Sequence, residues 1–361
     1  MLGIRVRVER RAVTPTWLLA AASALSVASA LLAISALFWW YGVDPLLAYR
    51  RIFAGAFGST YGLLETLVKS IPLMLCGVGL TIAFRALVWN IGAEGQLLMG
   101  AIAATAIALF VPGIPKPLVL PLMFLSGFLA GAAWGVIPGV LKAKFRADEV
   151  VTTLMMNYIA SELVNYLVYG PWKGPEEWGF PYSSKFPKYA WIPTIPGTRI
   201  HYVTLALAVA SAAAAYLLLM RTTIGYEIRV TGGNPDAARY AGMNYFRTVV
   251  LVMLLSGGLA GLAGVGEVAG IHHRLRYPSG ISPGYGYTAI IVAWLGRLNP
   301  LAVILTSILF GGLLVGGDAI QVALGLPIAV VNVFNGAILL FVMGGDILTR
   351  YRIRVEWRRG R

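Results

Sequence analysis

The sequence predicts an all-α polytopic membrane protein of about ten transmembrane helices, with both termini cytoplasmic. Three observations predict it. Hydrophobic residues make up 58% of the 361 positions and charged residues 12%, about half the ~25% charge of a soluble domain. Mean hydropathy is +0.76, which is more apolar surface than a soluble fold of this length can hide. The apolar residues also fall in runs of about 20, the length that crosses ~30 Å of hydrocarbon with every backbone hydrogen bond closed inside the helix. Hydropathy therefore overrides a domain count based on length, and residues 1–361 read as one transmembrane domain. The net charge of +14 sits in short spacers between apolar runs, so nucleic acid is not an expected partner.

The first span, 15–40, follows Arg5, Arg7, Arg10 and Arg11. A cleaved signal would need an apolar stretch of only 7–15 residues. The stretch from Trp17 to Trp40 is longer, which predicts a retained helix. Residues 41–62 mix apolar positions with Asp44, Arg50 and Arg51 and suit an interfacial amphipathic helix. Spans follow at 64–88, 91–111, 118–141 and 149–169. A loop at 171–200, with six prolines and Trp172, Trp178 and Trp191, is long enough to be functional; it suits a partner's dock or a plain lid. The remaining spans are 201–220, 248–270, 286–296, 299–317 and 328–348. The segment 286–296 is too short to cross alone and reads as broken or re-entrant, which is tolerable only under cover of protein or a water-filled cavity.

Charge sets the orientation. With the N-terminus inside and strict alternation, 19 of the 29 Lys and Arg fall on the cytoplasmic side, including Lys142, Lys144, Arg146, Arg239 and the C-terminal cluster from Arg350 to Arg361. The basic tail would then lie against anionic lipid headgroups.

The cytoplasmic loop 221–247 carries a predicted short helix at 235–241. Asn234 is a favoured N-cap, Pro235 fits the first helical position and Gly242 suits a left-handed stop. Asp236 in the first turn and Arg239 towards the end match the helix dipole. So short a helix does not persist in water alone, so the membrane domain, a partner or both must hold it. A capped connector is the plainer alternative.

Within the spans, Gly127, Gly131, Gly135 and Gly139 recur every four residues, and Gly257/Gly261, Gly266/Gly270 and Gly312/Gly316 repeat the spacing. Such ridges let backbones approach closely, and packing is the expected role. On 149–169, which opens after Asp148, residues Thr153, Asn157, Ser161 and Asn165 climb at i+4 with Tyr158 and Glu162 alongside. Polar groups in a membrane face a bundle interior or a water-filled cavity. Asn157, Ser161 and Asn165 are the expected solute pathway, with interhelical hydrogen bonding as the alternative. Glu94 and Gln96 open the span at 91–111, with Glu94 near the interface and able to pair with Arg85. Glu65 and Lys69 suit an i, i+4 ion pair. Glu267 lies deeper, as a site or a packing residue. Trp89, Tyr158 and Tyr285 suit stacking on a base or sugar face, though aromatic residues near interfaces are commonly anchors.

No catalytic set, cofactor or metal site is expected. Gly280-Ile-Ser282-Pro-Gly284 fits a nucleophile elbow in letters, but it lacks the strand–turn–helix setting. Adjacent His272 and His273 point apart on most backbones. Cys76 is the only cysteine, which rules out an internal disulfide and a cysteine cluster. The phosphate-cradling G-x-x-x-x-G-K-[ST] does not occur, so any ATP drive must come from another subunit.

Five motifs occur in order: Asn90-Ile-Gly-Ala-Glu-Gly-Gln96, Asp148-Glu-Val150 followed by Met156-Asn-Tyr158, Gly233-Asn-Pro-Asp-Ala-Ala-Arg-Tyr-Ala-Gly242, Ser282-Pro-Gly-Tyr-Gly286 and Leu295-Gly-Arg-Leu-Asn-Pro300. Together, over about residues 60–345, they resemble the permease subunits of ABC importers for nucleosides and simple sugars, a group related to ribose and branched-chain amino-acid permeases. The resemblance implies a dimer of identical or homologous permeases, a pair of cytoplasmic ATP-binding subunits and an external substrate-binding protein. It implies that Asn234, Pro235, Asp236, Arg239, Tyr240 and Gly242 form the helix that docks on the ATPase. Thr288 and Gly233 depart from the group's usual acids. A secondary transporter, which would need no ATPase, and a branched-chain amino-acid permease are the competing readings.

Overall fold

A computed structural model describes residues 3–10, 16–327 and 351–358, with short helical pieces between 329 and 345. Six helices among the described residues are long and apolar enough to cross a membrane. In the order α3, α4, α5, α7, α10 and α13 they are Thr60–Arg85, Ala93–Phe110, Lys116–Phe145, Tyr202–Arg221, Tyr245–Val265 and Pro300–Leu324, with α10 continued to His272. Two more expected segments are helical but fall short of that test. The helix α6, Glu149–Tyr169, has the length but not the hydropathy, because Asn157, Ser161, Glu162 and Asn165 dilute it. After the four-residue α11, Pro278–Ile281, the 11-residue α12, Tyr285–Leu295, rises only about 16 Å, half of a bilayer core. The first expected span is α1, Thr16–Trp40. The last, 328–348, lies largely outside the described residues.

The chain forms two units, each compact in itself. The first holds residues 1–53 and 316–361. Here α1 bends by 113° into α2, Pro45–Phe57, the helix expected in the mixed segment 41–62. Asp44 caps it through the Leu46 amide at 2.9 Å. Tyr49 ties the two helices together by donating to the Leu31 carbonyl at 2.5 Å and packing edge-on against Phe38. The departure from an all-α fold is also here: strands β1, Gly3–Arg10, and β2, Tyr351–Arg358, pair antiparallel as a two-stranded ribbon.

The second unit, 54–315, is the helical bundle. The expected glycine ridges are its seam. A Cβ on Gly131 would stand 2.8 Å from Gly261 Cα, and one on Gly135 would stand 2.6 Å from the Met253 carbonyl. Only glycine lets α5 and α10 close to backbone contact. The helix α3 runs through the centre, and Cys76 on it is fully buried. The end of α10, Gly266–His272, winds as a π turn closed by His273 at φ 54°. Between α7 and α10 the expected short helix is preceded by α8, Thr223–Gly233, whose Gly232 abuts the backbone of Arg85 and Ala86.

Candidate functional site: a polar centre at a half-helix tip

The segment joining α3 to α4 turns back into the bundle, and buried amides hold it there. Asn90 is fully buried and pairs reciprocally with Gln96, donating Nδ2 to Oε1 at 2.9 Å and accepting from Nε2 at 3.0 Å. Its Nδ2 also reaches Ser256 Oγ on α10 at 2.9 Å, while its Oδ1 takes the Gly92 amide. From α6, Asn157 accepts the Gly95 amide at 2.8 Å and donates to the Ile91 carbonyl at 2.9 Å and to Tyr287 at 3.1 Å. Thr153, one turn earlier, accepts from the Ile91 amide. Five elements thus meet in one network: the 86–92 segment, α4, α6, α10 and α12.

Glu94 completes the centre, and here the structure corrects the expectation. Glu94 is 7% exposed, away from any solvent interface. Arg85 is engaged elsewhere, donating to the Leu298 carbonyl at 2.9 Å. The Glu94 carboxyl accepts the Gly286 amide at 2.7 Å, in the first turn of α12. Ser282 holds the turn that enters the same helix, its hydroxyl accepting from the Tyr285 amide at 3.0 Å and the Gly284 amide at 3.3 Å. An acid at a helix N-terminus meets unpaired amides and the positive end of the dipole. The serine of the false elbow motif therefore shapes the turn into α12, whose N-cap is Gly284. Gly286 is required as glycine, because a Cβ there would overlap the backbone of Glu94.

The expected pathway residues separate into two groups. Glu94, Gln96 and Asn157 are buried in this centre. Trp89 is half-buried beside it, stacked on Trp294 at 5.6 Å and against Phe84 at 5.4 Å, its amide 3.3 Å from Glu149 Oε1. Glu149 also pairs with Lys142. Ser161 and Asn165 are half-buried further along α6 and do not join the network; the Asn165 amide lies 3.4 Å from Glu162. Tyr158 points outward, 62% exposed. Asn90, Ser256 and Tyr287 were missed. Asn90 was legible as the first residue of a quoted motif, whereas nothing local marks Ser256 on an otherwise apolar helix.

The 171–200 loop and the short helix lie at opposite ends of α7. The loop is pinned to the π turn and to the chain just after it. The amides of Ser183, Phe186 and Ile192 donate to the carbonyls of Leu275, His273 and Ala269 at 3.0, 2.8 and 3.1 Å. Arg274 pairs with Glu177, and Trp191 stacks on His273 with centroids 3.9 Å apart. Burial holds the His273 imidazole below its ordinary pKa; the Ala269 bond opposes this and Arg274 adds to it. At the other end α9, Pro235–Tyr240, forms as read: Asn234 Oδ1 takes the Asp236 and Ala237 amides, and Gly242 stops the helix at φ 77°. Asp236 pairs with Arg239 at 3.3 Å, Arg239 lies over Tyr245, and Tyr240 is 94% exposed. Ala238 anchors the inner face. Glu65, expected to pair with Lys69, has the Arg199 guanidinium 3.0 Å from its carboxyl.

Residues 62–343 match the family model described as branched-chain amino acid transport system / permease component. The chain belongs to this permease family. As a family member it is the membrane-spanning permease subunit of an ABC importer, a multi-pass protein of the plasma membrane. The glucose ABC transporter permease of Haloferax volcanii is 37% identical, covering 99% of this chain and 96% of that one. The guanosine permease of Bacillus subtilis is 34% identical over 83% and 86% of the two chains. A nucleoside permease of Lactococcus lactis is 31% identical over 84% of each. A permease of this family is a transport component.

Proposed function

We propose that this permease carries a simple sugar, delivered by an external substrate-binding protein, with a nucleoside as the second reading. Similarity to a glucose permease at 37% identity over 99% of the chain is the observation that carries the sugar. Similarity to guanosine and nucleoside permeases favours the nucleoside. Both solutes present a polyhydroxylated ring, which amides such as Asn157 and Gln96 can bond in turn if the network opens. On this reading Glu94, Gln96, Asn157 and Trp89 border the pathway, with Ser161, Asn165 and Tyr158 further along it.

On this reading the chain has about ten transmembrane helices, with both termini cytoplasmic. The pairing of β1 with β2 supports both ends on one face, and the weight of Lys and Arg supports the inner one. ATP is hydrolysed by separate cytoplasmic subunits, because this sequence has no P-loop. Those subunits dock on α9 in the 221–247 loop, where Asn234, Pro235 and Gly242 shape the helix and Asp236, Arg239 and Tyr240 face outward. A second permease, identical or homologous, completes the membrane channel, and the 171–200 loop receives the binding protein.

The test is co-purification with the neighbouring ATPase and binding protein, then uptake into proteoliposomes. Labelled glucose, guanosine and leucine are compared with ATP present or absent. Glucose should accumulate only with ATP and both partners. Guanosine alone accumulating selects the second reading, and leucine alone rejects both. Accumulation by the permease without any ATPase would make it a secondary transporter and overturn the proposal.

A further inference from the structure

A π turn holds one residue more than an α-helix of the same rise, and such turns cluster at functional sites. In this protein the turn Gly266–His272 stands at a mismatch between buried groups. His201 is fully buried, and neither ring nitrogen meets a hydrogen-bond partner among the described residues. The hydroxyl of Thr204, also fully buried, is in the same position. Buried polar groups without partners are rare in folded proteins. Both residues face the turn across glycine: a Cβ on Gly270 would stand 2.9 Å from His201 Cδ2, and one on Gly266 would stand 2.9 Å from Thr204 Cγ2. The next residue after Gly266 is Glu267, 4% exposed, whose carboxyl has His272 Nε2 at 3.7 Å, beyond hydrogen-bond length. Arg199 and Lys69 are the cations that act on it. A buried acid with a long contact therefore sits on the turn that a buried base with none faces.

We propose that the π turn Gly266–His272 is a two-state register switch, and that in its second state the Glu267 carboxyl takes His201 as its partner. Releasing the extra residue shifts the downstream chain by about 1.5 Å and 100°. That stretch, His273 to Tyr277, is gripped by the 171–200 loop through the backbone bonds to His273 and Leu275 and the Trp191–His273 stack, while the Ile192 amide holds Ala269 in the turn itself. The left-handed φ of 54° at His273 is a strain that the shift relieves. The glycines at 264, 266 and 270 bring the turn into close contact with α4 and α7, so a change of its register is felt by both. The switch thus gears the loop to the bundle, and because it uses nucleotide-driven states it rests on the permease reading above.

Hydrogen exchange by mass spectrometry on the assembled transporter in nanodiscs tests it, with and without a non-hydrolysable ATP analogue. The peptide covering 264–274 should change its exchange rate at least tenfold between the two conditions, while the amides of Ser183 and Phe186, which bond the chain beyond the turn, stay protected in both. Deleting Val268 should abolish that change. His201→Phe keeps the volume but removes both nitrogens, and it should reduce the change at least fivefold in a complex that still assembles. Identical exchange at 264–274 in the two conditions overturns the switch, as does a wild-type response in His201→Phe. ATP hydrolysis by the same sample separates the two claims. Hydrolysis with an unmoved turn refutes the switch alone, whereas no hydrolysis refutes the permease reading and the switch with it.

Discussion

Replacing Gly131 with alanine sets the α5–α10 seam against a single methyl group. The new Cβ would lie 2.8 Å from Gly261 Cα and 2.9 Å from Gly261 N, closer still to the Gly257 carbonyl. All three neighbours are backbone, so no side chain can rotate away. Carbon atoms pack at about 3.5–4.0 Å, and a gap of about 0.5–1 Å forfeits a quarter to a half of the dispersion well for every pair along the seam. Restoring contact distance therefore separates the helices by about 1 Å, and the cost lies at the upper end of the overpacking range, about 3 kcal/mol. A loss of that size lowers the thermal midpoint by roughly 5–10 °C, measured on the purified permease in detergent by size-exclusion thermal challenge. Gly233→Ala is the matched control, since a Cβ there meets nothing within 4 Å; it should be neutral or raise stability by about 0.4–1 kcal/mol through the unfolded chain. If both variants melt with the parent protein, the glycine ridge is not what sets the α5–α10 distance.

Three further outcomes are expected. Asn157→Leu strands the Gly95 amide and the Ile91 carbonyl, and should cost about 1–3 kcal/mol; an unchanged melting midpoint would show that the amide clamp carries no weight. Glu94→Ala leaves the Gly286 amide without its acceptor and should cost a similar amount, while Glu94→Gln keeps an acceptor oxygen and should cost clearly less; equal losses on thermal challenge would contradict the cap. Arg239→Ala acts on an exposed helix end, so stability should stay within about 0.5 kcal/mol, yet ATP hydrolysis stimulated by the binding protein should fall at least tenfold; full stimulation would remove α9 from the coupling path.

Periodicity and punctuation made most of the bundle legible. Asn234-Pro235 and Gly242 placed α9 to within a residue, because caps are local chemistry. The four-residue glycine spacing gave the seam on α5, since close backbone approach leaves no other choice of side chain. Burial was the illegible part. Glu94 reads as an interfacial acid when helices are drawn straight through a bilayer, and only the inward turn of residues 86–92 carries it to the tip of α12. That turn depends on Asn157 and Ser256, which are 62 and 166 positions away from their partners Gly95 and Asn90, too far for any local signal. Along α6 the i+4 ladder predicted one polar face. The helix instead gives Asn157 to its neighbours and leaves Ser161 and Asn165 apart, because the neighbour it meets, the start of α4, reaches only its first turns. The helix α8 went unread because its apolar stretch is short and its role is to seat Gly232 on the end of α3.

The solitary thiol of Cys76, sealed inside α3, has a use at the bench. A thiolate must reach its reagent to react, so the native chain is silent to maleimides as it stands. A cysteine placed on the surface loops or on α9 would be the single reactive position, and no prior stripping of the sequence is needed to read it. Slow labelling of the unmodified chain would then be a clock for loosening at its innermost helix.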